Sequence, residues 1–371
     1  MVKKKNTNLY DEILNKIKGD TADFPVHTRI PTRMEMAANY GVTRTTIEKA
    51  ISQLVGEGYL YSRDGSGTYI AEKKNGHNNF NRNSIDSWGV ILPNIVSDTY
   101  PEIFRGIEDF ARQKNINVVL CNTDNNIGTQ GHYIEKLVES NVSGIIIVPA
   151  LRGSPDFDSF RFLADNKIPF VFCNRKVENI NAPQVISNNF YGSLIATQHL
   201  VNIGYKRIAF VAPSSYSHVE HRLQGYLACL HMSGHQITDE YIFIDDGRSG
   251  AEQDLAGSLA VEALYNSGIE KPDAFFCFND RTAHGVYRAI EEKGLEIGKD
   301  VGLVGYDDSA VCSMLPVKLT SVRYPKYETG STASEVLYEI INGRQYRENY
   351  TIVLNPSLTV RQSCGSGFNG Q

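Results

Sequence analysis

Paired cysteines are missing from this sequence. Its six cysteines stand singly at 121, 173, 229, 277, 312 and 364, so no Cys-x-x-Cys spacing suggests a zinc ribbon or a disulfide framework, and a reducing cytoplasm is the expected compartment. Long apolar runs are missing too. The best, residues 144–151, is broken by Pro149 and falls short of the roughly 18 residues a membrane span needs. The lysines at 3–5 are followed by no apolar stretch, so no secretory signal is expected. With 13 prolines and 31 glycines in no triplet period, a collagen-like chain is excluded. Catalytic signatures are equally scarce. There is no Gly-x-Ser-x-Gly elbow and no His-Glu-x-x-His, and the single Gly-Lys, Gly298-Lys299, runs into Asp300 instead of a phosphate loop. His218 and His221 are the closest useful histidine pair and read as cleft or surface residues rather than metal ligands. Adjacent Asp307 and Asp308 point apart at a strand end, which disfavours an acid/base pair. The expectation is no enzyme, no metal and no cofactor.

What is present is a globular composition, 41% hydrophobic and 21% charged over 371 residues, enough for two or three domains. The net charge of -5 is unevenly spread. Residues 1–74 hold 12 Lys/Arg against 9 Asp/Glu, a net of +3, which leaves -8 for the remainder. A basic segment on an acidic body points to a polyanionic partner for that segment.

Residues 1–74 read as a winged helix-turn-helix. Leu9, Ile13, Leu14 and Ile17 recur at helical spacing. Thr32 with Glu35 three residues on is a capping box for a helix over 33–40, which Gly41 ends. Thr43 caps a third helix over 44–56, with Ile47, Ala50, Ile51, Leu54 and Val55 on one face. Two β runs, 60–62 and 68–71, flank a glycine-bearing tip. Such a unit places its third helix in a major groove and the hairpin on the flank. The candidate DNA contacts are Thr32 and Arg33, then Thr43, Arg44, Thr45, Thr46 and Lys49 on the third helix, and Gly65, Ser66 and Gly67 at the tip. Arg44 is suited to bidentate contact with guanine. A trihelical bundle that binds no DNA has the same spacing, so pattern alone leaves both readings open.

The wording of the segment goes further. Ile30-Pro31-Thr32, Gly41-Val42-Thr43-Arg44-Thr45-Thr46-Ile47, Glu57-Gly58-Tyr59-Leu60-Tyr61 and Gly65-Ser66-Gly67-Thr68-Tyr69-Ile70-Ala71 closely resemble the GntR family of bacterial regulators across nearly all of residues 8–73. The resemblance implies a cytoplasmic, homodimeric, DNA-binding repressor. A symmetric dimer in turn implies a palindromic operator.

Residues 75–85, asparagine-rich and without period, read as a linker. From 86 to 371, nine short β-rich runs alternate with helical patterns at 103–114, 133–140, 192–203, 222–232, 253–267 and 283–293. That alternation predicts parallel sheets covered by helices, in two Rossmann-like halves. The expected lobes are 86–187 with 322–350, and 188–321 with 351–366. Ligands of such sheets bind beyond the carboxyl ends of the strands. There stand Asp98 and Tyr100, Asn174 and Arg175, Asn189 and Phe190, Arg222, Asn279 and Asp280, and Asp307. Amides, carboxylates, arginine and aromatic rings suit a small polyhydroxylated ligand. Asp and Asn also cap helices after strands, and at any single position that alternative is as good.

Phe172-Cys173-Asn174-Arg175, Arg222-Leu223-Gln224-Gly225-Tyr226, Phe278-Asn279-Asp280, Val304-Gly305-Tyr306-Asp307-Asp308 and Val360-Arg361-Gln362-Ser363 resemble the periplasmic-binding-protein-like effector domain of the LacI family, over residues 86–364. The resemblance implies effector contacts at Asn174, Arg222, Asn279, Asp307 and Tyr324. The fold class expected for the whole is thus α/β, an N-terminal winged helix-turn-helix with a two-lobed Rossmann domain. Residues 97–108 and 319–326 are similar to members of this combined architecture that respond to arabinose, which implies an L-arabinose-like pentose as effector. A transporter's solute-binding protein, and a regulator sensing a nucleobase or a sugar phosphate, remain as alternatives.

Overall fold

The computed structural model describes residues 9–21, 24–56, 58–63, 66–71, 86–151, 157–213, 217–245 and 253–366. Gly65 and the expected linker at 75–85 lie outside them. The chain forms two compact units, 1–84 and 85–371.

In the first unit, helices α1 (Leu9–Asp20), α2 (Arg33–Tyr40) and α3 (Arg44–Gly56) precede a hairpin of β1 (Leu60–Arg63) and β2 (Gly67–Ile70). Local chemistry sets the ends. The Thr32 hydroxyl accepts from the Glu35 N–H at 3.3 Å while Glu35 Oε2 accepts from the Thr32 N–H at 2.8 Å, a reciprocal cap. Gly41 turns out of α2 at φ 64°, and the Thr43 hydroxyl accepts from the Thr46 N–H at 3.3 Å. Ile13, Ile17, Met36, Ile47, Ile51 and Leu54 are buried together with Leu60 and Ile70 of the hairpin. Leu60 faces Ile70 and Arg63 faces Gly67 across the two strands.

The second unit opens with β3 (Ser87–Leu92), α4 (Tyr100–Gln113), β4 (Asn117–Asn122), α5 (Ile127–Glu139), β5 (Gly144–Ile147), α6 (Asp158–Asp165), β6 (Phe170–Asn174) and β7 (Gln184–Ser187). The chain then crosses to a second sheet through α7 (Asn189–Ile203), β8 (Ile208–Ala212), α8 (Ser217–Met232), β9 (Ile242–Ile244), α9 (Gln253–Asn266), β10 (Ala274–Cys277), α10 (Asp280–Glu292), β11 (Gly302–Tyr306), α11 (Val311–Met314) and β12 (Thr320–Arg323). It returns for α12 (Lys326–Ile341) and β13 (Thr351–Leu354), and crosses a third time to β14 (Ser357–Thr359). Among the described residues these form two six-stranded sheets, ordered β13-β7-β6-β5-β3-β4 and β14-β12-β11-β10-β8-β9. Every pairing is parallel except β12 with β14. The central strands β5, β8, β10 and β11 are buried throughout, as parallel strands covered on both faces must be. The covering helices pack backbone to backbone: a Cβ on Gly106 of α4 would lie 2.1 Å from the Tyr327 carbonyl, and one on Gly330 of α12 would lie 2.0 Å from that of Ile103.

The α/β class and the two lobes agree with expectation; several boundaries do not. Residues 351–354 pair in parallel with β7, so they belong to the first lobe, while 322–323 end β12 in the second. An edge strand added after a long helix carries no local mark of which sheet it joins. Helices α4, α5, α7, α8 and α10 begin three to six residues before their apolar pattern. Their first turns carry cap and pocket residues, such as Asn126, Asn188 and Asn279, in place of core ones.

Candidate functional sites

In the first unit the residues expected to meet DNA gather at the amino-terminal end of α3. Thr43, Arg44, Thr45 and Lys49 are exposed and Thr46 half-buried. Thr43 and Thr46 share a hydroxyl contact at 3.0 Å, and helix N–H groups at this end favour phosphate. Arg33 stands 3.6 Å from Glu48, one turn into α3. A hollow of about 340 Å³ is lined by Arg29, Thr32, Arg33, Arg44 and Gly67, among others. Arg29 went unnoticed in the sequence. Its guanidinium lies over Gly67, where a Cβ would approach Nε to 2.6 Å, and its backbone bridges to Tyr69, adding a third edge to the wing. The signal available was the short β-like stretch Thr28-Arg29-Ile30. Ser66 is engaged inside the hairpin, its hydroxyl 2.6 Å from that of Tyr69. On the hairpin's outer face Tyr61 and Tyr69 stack at 5.5 Å with Arg63 over both rings.

In the second unit a cleft of about 310 Å³ opens where strands of both sheets end, at the small end of the ~300–1,000 Å³ usual for ligand pockets. Arg222, on α8, is its most constrained cation. The side chain is 7% exposed and lies flat over the Tyr306 ring, 3.4 Å from its centroid, with the Phe278 ring at 4.4 Å. Its Nε donates to Asn189 Oδ1 at 2.9 Å and its Nη1 to the Phe278 carbonyl. Nη2 is left facing Asp307 Oδ1 at 3.8 Å, a gap that a ligand hydroxyl can bridge. Burial pushes the Asp307 carboxyl up, against the pull of Arg222 and Lys326.

Across the cleft, Arg175 is held by three hydrogen bonds to the protein. Its Nη1 donates to Asn125 Oδ1 at 2.8 Å and to the Pro149 carbonyl at 2.5 Å, and its Nη2 to the Tyr100 hydroxyl at 2.6 Å. Arg175 and Tyr100 are therefore a braced wall. Asn174, at φ 65°, and exposed Asp98 line the same side. Buried Tyr324 lies where the chain leaves the second sheet for α12.

Two of the expected contacts have other employment. Asp280 lines the cleft, but its carboxylate accepts from the Ser321 hydroxyl at 2.5 Å and the Ser309 N–H at 2.7 Å, so it props the wall. Burial, with the charge of Asp307, lifts its carboxyl to about 7. Phe190 is 40% exposed and does not line the cleft. Asn188 caps α7, which leaves Asn189 facing inward and rotates the next residue away. Asn279 does line the cleft, yet it caps α10 by accepting from the Thr282 N–H at 2.9 Å and donates to Gln253 Oε1 at 2.7 Å.

Asn125, His218 and Gln253 also line the cleft and were not anticipated as contacts. Asn125 lies in the polar run Asn122–Asn126 at the end of β4, a strand end like those already named. Gln253 sits on the first turn of α9 and carried no signal. His218 is held well below the ordinary histidine range by burial and by Arg175 and Arg222, so it is a neutral donor and acceptor. No described helix is long and apolar enough to cross a membrane, and no group of three metal-ligating side chains occurs among the described residues.

The sequence pattern of bacterial regulatory proteins of the gntR family matches residues 5–70, and that of the periplasmic binding protein-like domain matches residues 197–364. The arabinose metabolism transcriptional repressor of Geobacillus stearothermophilus is 30% identical over 340 residues, 90% of this chain and 91% of its own. A LacI family transcriptional regulator from Enterococcus faecium, solved with bound ribose, superposes with a TM-score of 0.64 at 26% identity, covering 75% of this chain and 98% of that one. The transcription regulator CcpA of Lactococcus lactis shares the fold, with a TM-score of 0.66 at 24% identity over 76% of this chain and 99% of its own. This chain belongs to the gntR family of bacterial regulatory proteins, and it is a transcriptional repressor of the combined GntR and LacI type.

Proposed function

We propose that the protein represses a sugar-utilisation operon in the cytoplasm and leaves its DNA when a small sugar binds, an L-arabinose-like pentose being the favoured effector. Residues 1–74 are the reader, 75–85 the tether and 86–371 the sensor. The reader acts as one half of a homodimer on a palindromic operator, with Arg44 reading guanine and Thr43, Thr45 and Lys49 beside it. In the sensor, Asp98, Asn174, Arg222 and Asp307 meet the effector's hydroxyls, Tyr324 closes one side, and Tyr100, Arg175, Asn189 and Asn279 hold the others in place.

The observation that carries this reading is Arg222 stacked on Tyr306 with its Nη2 3.8 Å from Asp307 Oδ1, a donor and acceptor pair set for vicinal hydroxyls. The cations Arg175, Arg222 and Arg281 share the cleft with the acids Asp98, Asp280 and Asp307, and Arg175 has committed three of its donors to protein groups. A neutral ligand therefore fits better than a sugar phosphate. The reader unit speaks against a transporter's solute-binding protein.

A gel shift with DNA from upstream of neighbouring genes, titrated with L-arabinose, other pentoses, hexoses and a purine, tests the reading. Sequence-specific binding that a pentose reverses supports it. Absence of specific binding at moderate salt removes the reader; release by the purine alone removes the sugar sensor.

A further inference from the structure

Asp307 and Asp308 are consecutive non-glycine residues with positive φ, 105° and 49°. L-residues keep such conformations only where the surroundings over-determine them. Here the surroundings can be named. The Asp307 N–H donates to the Val322 carbonyl at 2.8 Å, the Asp308 N–H to Ser321 Oγ at 3.1 Å, and the Ser309 N–H to Asp280 at 2.7 Å. The Asp308 carboxylate, 8% exposed, lies 2.7 Å from Arg361 Nη2 and accepts from the Thr359 hydroxyl at 3.2 Å. Arg361 is itself pinned: its N–H donates to Thr320 Oγ1 at 2.8 Å and its Nη1 to the Leu319 carbonyl at 2.8 Å. Neither Asp308, Thr359 nor Arg361 lines the cleft.

The turn presents Asp307 to the cleft while Asp308 is held on Arg361 outside it. Fixing Asp308 therefore fixes the backbone from which Asp307 projects. A pair this sheltered and multiply bonded is unlike a loose surface ion pair, whose contribution is small. The clamp also comes from late in the chain, because Arg361 follows β14, beyond the third crossing between the sheets.

We propose that Asp308 and Arg361 are a positioning pair, which clamps the turn after β11 so that the Asp307 carboxylate faces Arg222 and thereby sets effector affinity without touching the effector. This rests on the reading of the cleft as the effector site. Restoring a cation at 361 should restore the orientation, whereas a role in core stability alone would leave effector affinity per folded molecule untouched.

The test is calorimetric titration of the full-length protein with L-arabinose and a panel of pentoses and hexoses, at a temperature where circular dichroism shows each variant folded. Arg361→Met is expected to weaken binding of the best sugar by about tenfold or more, since small misplacements of a binding group cost that much. Arg361→Lys recovers most of the loss, and operator affinity without sugar is unchanged in both. If Arg361→Met does not fold, the doubly neutral Asp308→Asn with Arg361→Gln is read in its place, with the same loss expected. Sugar affinity within about twofold of wild type, a difference within additive error, overturns the proposal. So does a loss that lysine fails to restore, or one matched by an equal loss of operator binding. A wild type that binds no sugar of the panel overturns the sensor reading instead, and the proposal with it.

Discussion

Thr43, Arg44 and Thr45 stand exposed at the amino-terminal end of α3, whereas in the sensor Arg222 is buried, Asp307 is half-buried, and each has a named neighbour. The reader needs little preorganisation beyond a capped helix, because a DNA groove supplies the complementary surface and phosphates supply the affinity. A cleft for a small neutral ligand must supply everything itself. Its polar groups are therefore fixed by stacking, ion pairs and hydrogen bonds that never reach the ligand. Substitutions should accordingly be graded in the reader and abrupt in the sensor.

The largest effect is expected at Arg222. Truncation to alanine leaves Asp307 facing the cleft without its cation, and leaving a buried polar group unpaired costs roughly 1–3 kcal/mol, more when it is charged. Arg222→Ala should bind its operator normally and fail to release it at any practical sugar concentration, a constitutively repressing phenotype in a reporter strain. Ordinary induction in that strain would show that the sensor's abruptness is not built on this residue.

A smaller loss is expected from Arg44→Ala, about 1–3 kcal/mol of operator affinity together with relaxed preference at one base position. Competition gel shifts against single-base operator variants measure both. If affinity falls equally for all sequences and the salt dependence flattens, Arg44 is a phosphate contact and the reader has its specificity elsewhere, with Arg29 the next candidate.

These two sites were not equally legible in the sequence. The reader is built from contacts a few residues apart: Thr32 with Glu35, Gly41 after α2, Thr43 with Thr46. Chain order alone displays such pairs, and the helices fall where the pattern puts them. Arg29 escaped because it acts through Gly67, on a different strand. In the sensor, the alternation of strands and helices and the polar strand ends could be read directly, and Asp98, Asn174, Arg222 and Asp307 follow from that rule. What Asp280 and Asn279 do could not be read, because capping a helix and facing a ligand use the same residue types at the same place. Only the distances from Asp280 to Ser321 and Ser309 decide between them. Lobe membership of 351–354 escaped for a related reason: a strand's partner is a tertiary fact, and β13 finds its own in β7, more than 160 residues earlier.

The finest distinction between the two units lies in their response to pH. In the sensor, Asp280 is lifted from 3.8 to about 7 by burial and by the charge of Asp307, and Asp307 is displaced the same way. A carboxyl raised in the folded state holds its proton when the unfolded chain has released it, so its contribution makes the sensor less stable as pH rises from about 4 to about 7. His218 works in the opposite sense. It is held well below 6.5 by burial and by Arg175 and Arg222, so the unfolded chain takes up a proton that the folded one refuses, and stability falls as pH drops below 6.5. The two slopes offset each other between about pH 5 and pH 7. Trp88, the single tryptophan, is buried in β3 of the sensor, so urea unfolding followed by its fluorescence reports on that unit in the intact protein. Asp280→Asn should remove one slope and leave a sensor that weakens toward pH 5. His218→Gln should remove the other and leave one that weakens toward pH 7. In the reader, the displaced groups among the described residues are Glu35, lowered by its bonds to the Thr32 backbone and hydroxyl, and Tyr40, lifted to about 12 by burial and by Asp20. Both titrate outside this window. Identical pH profiles in wild type and both sensor variants would mean that neither buried group is coupled to folding.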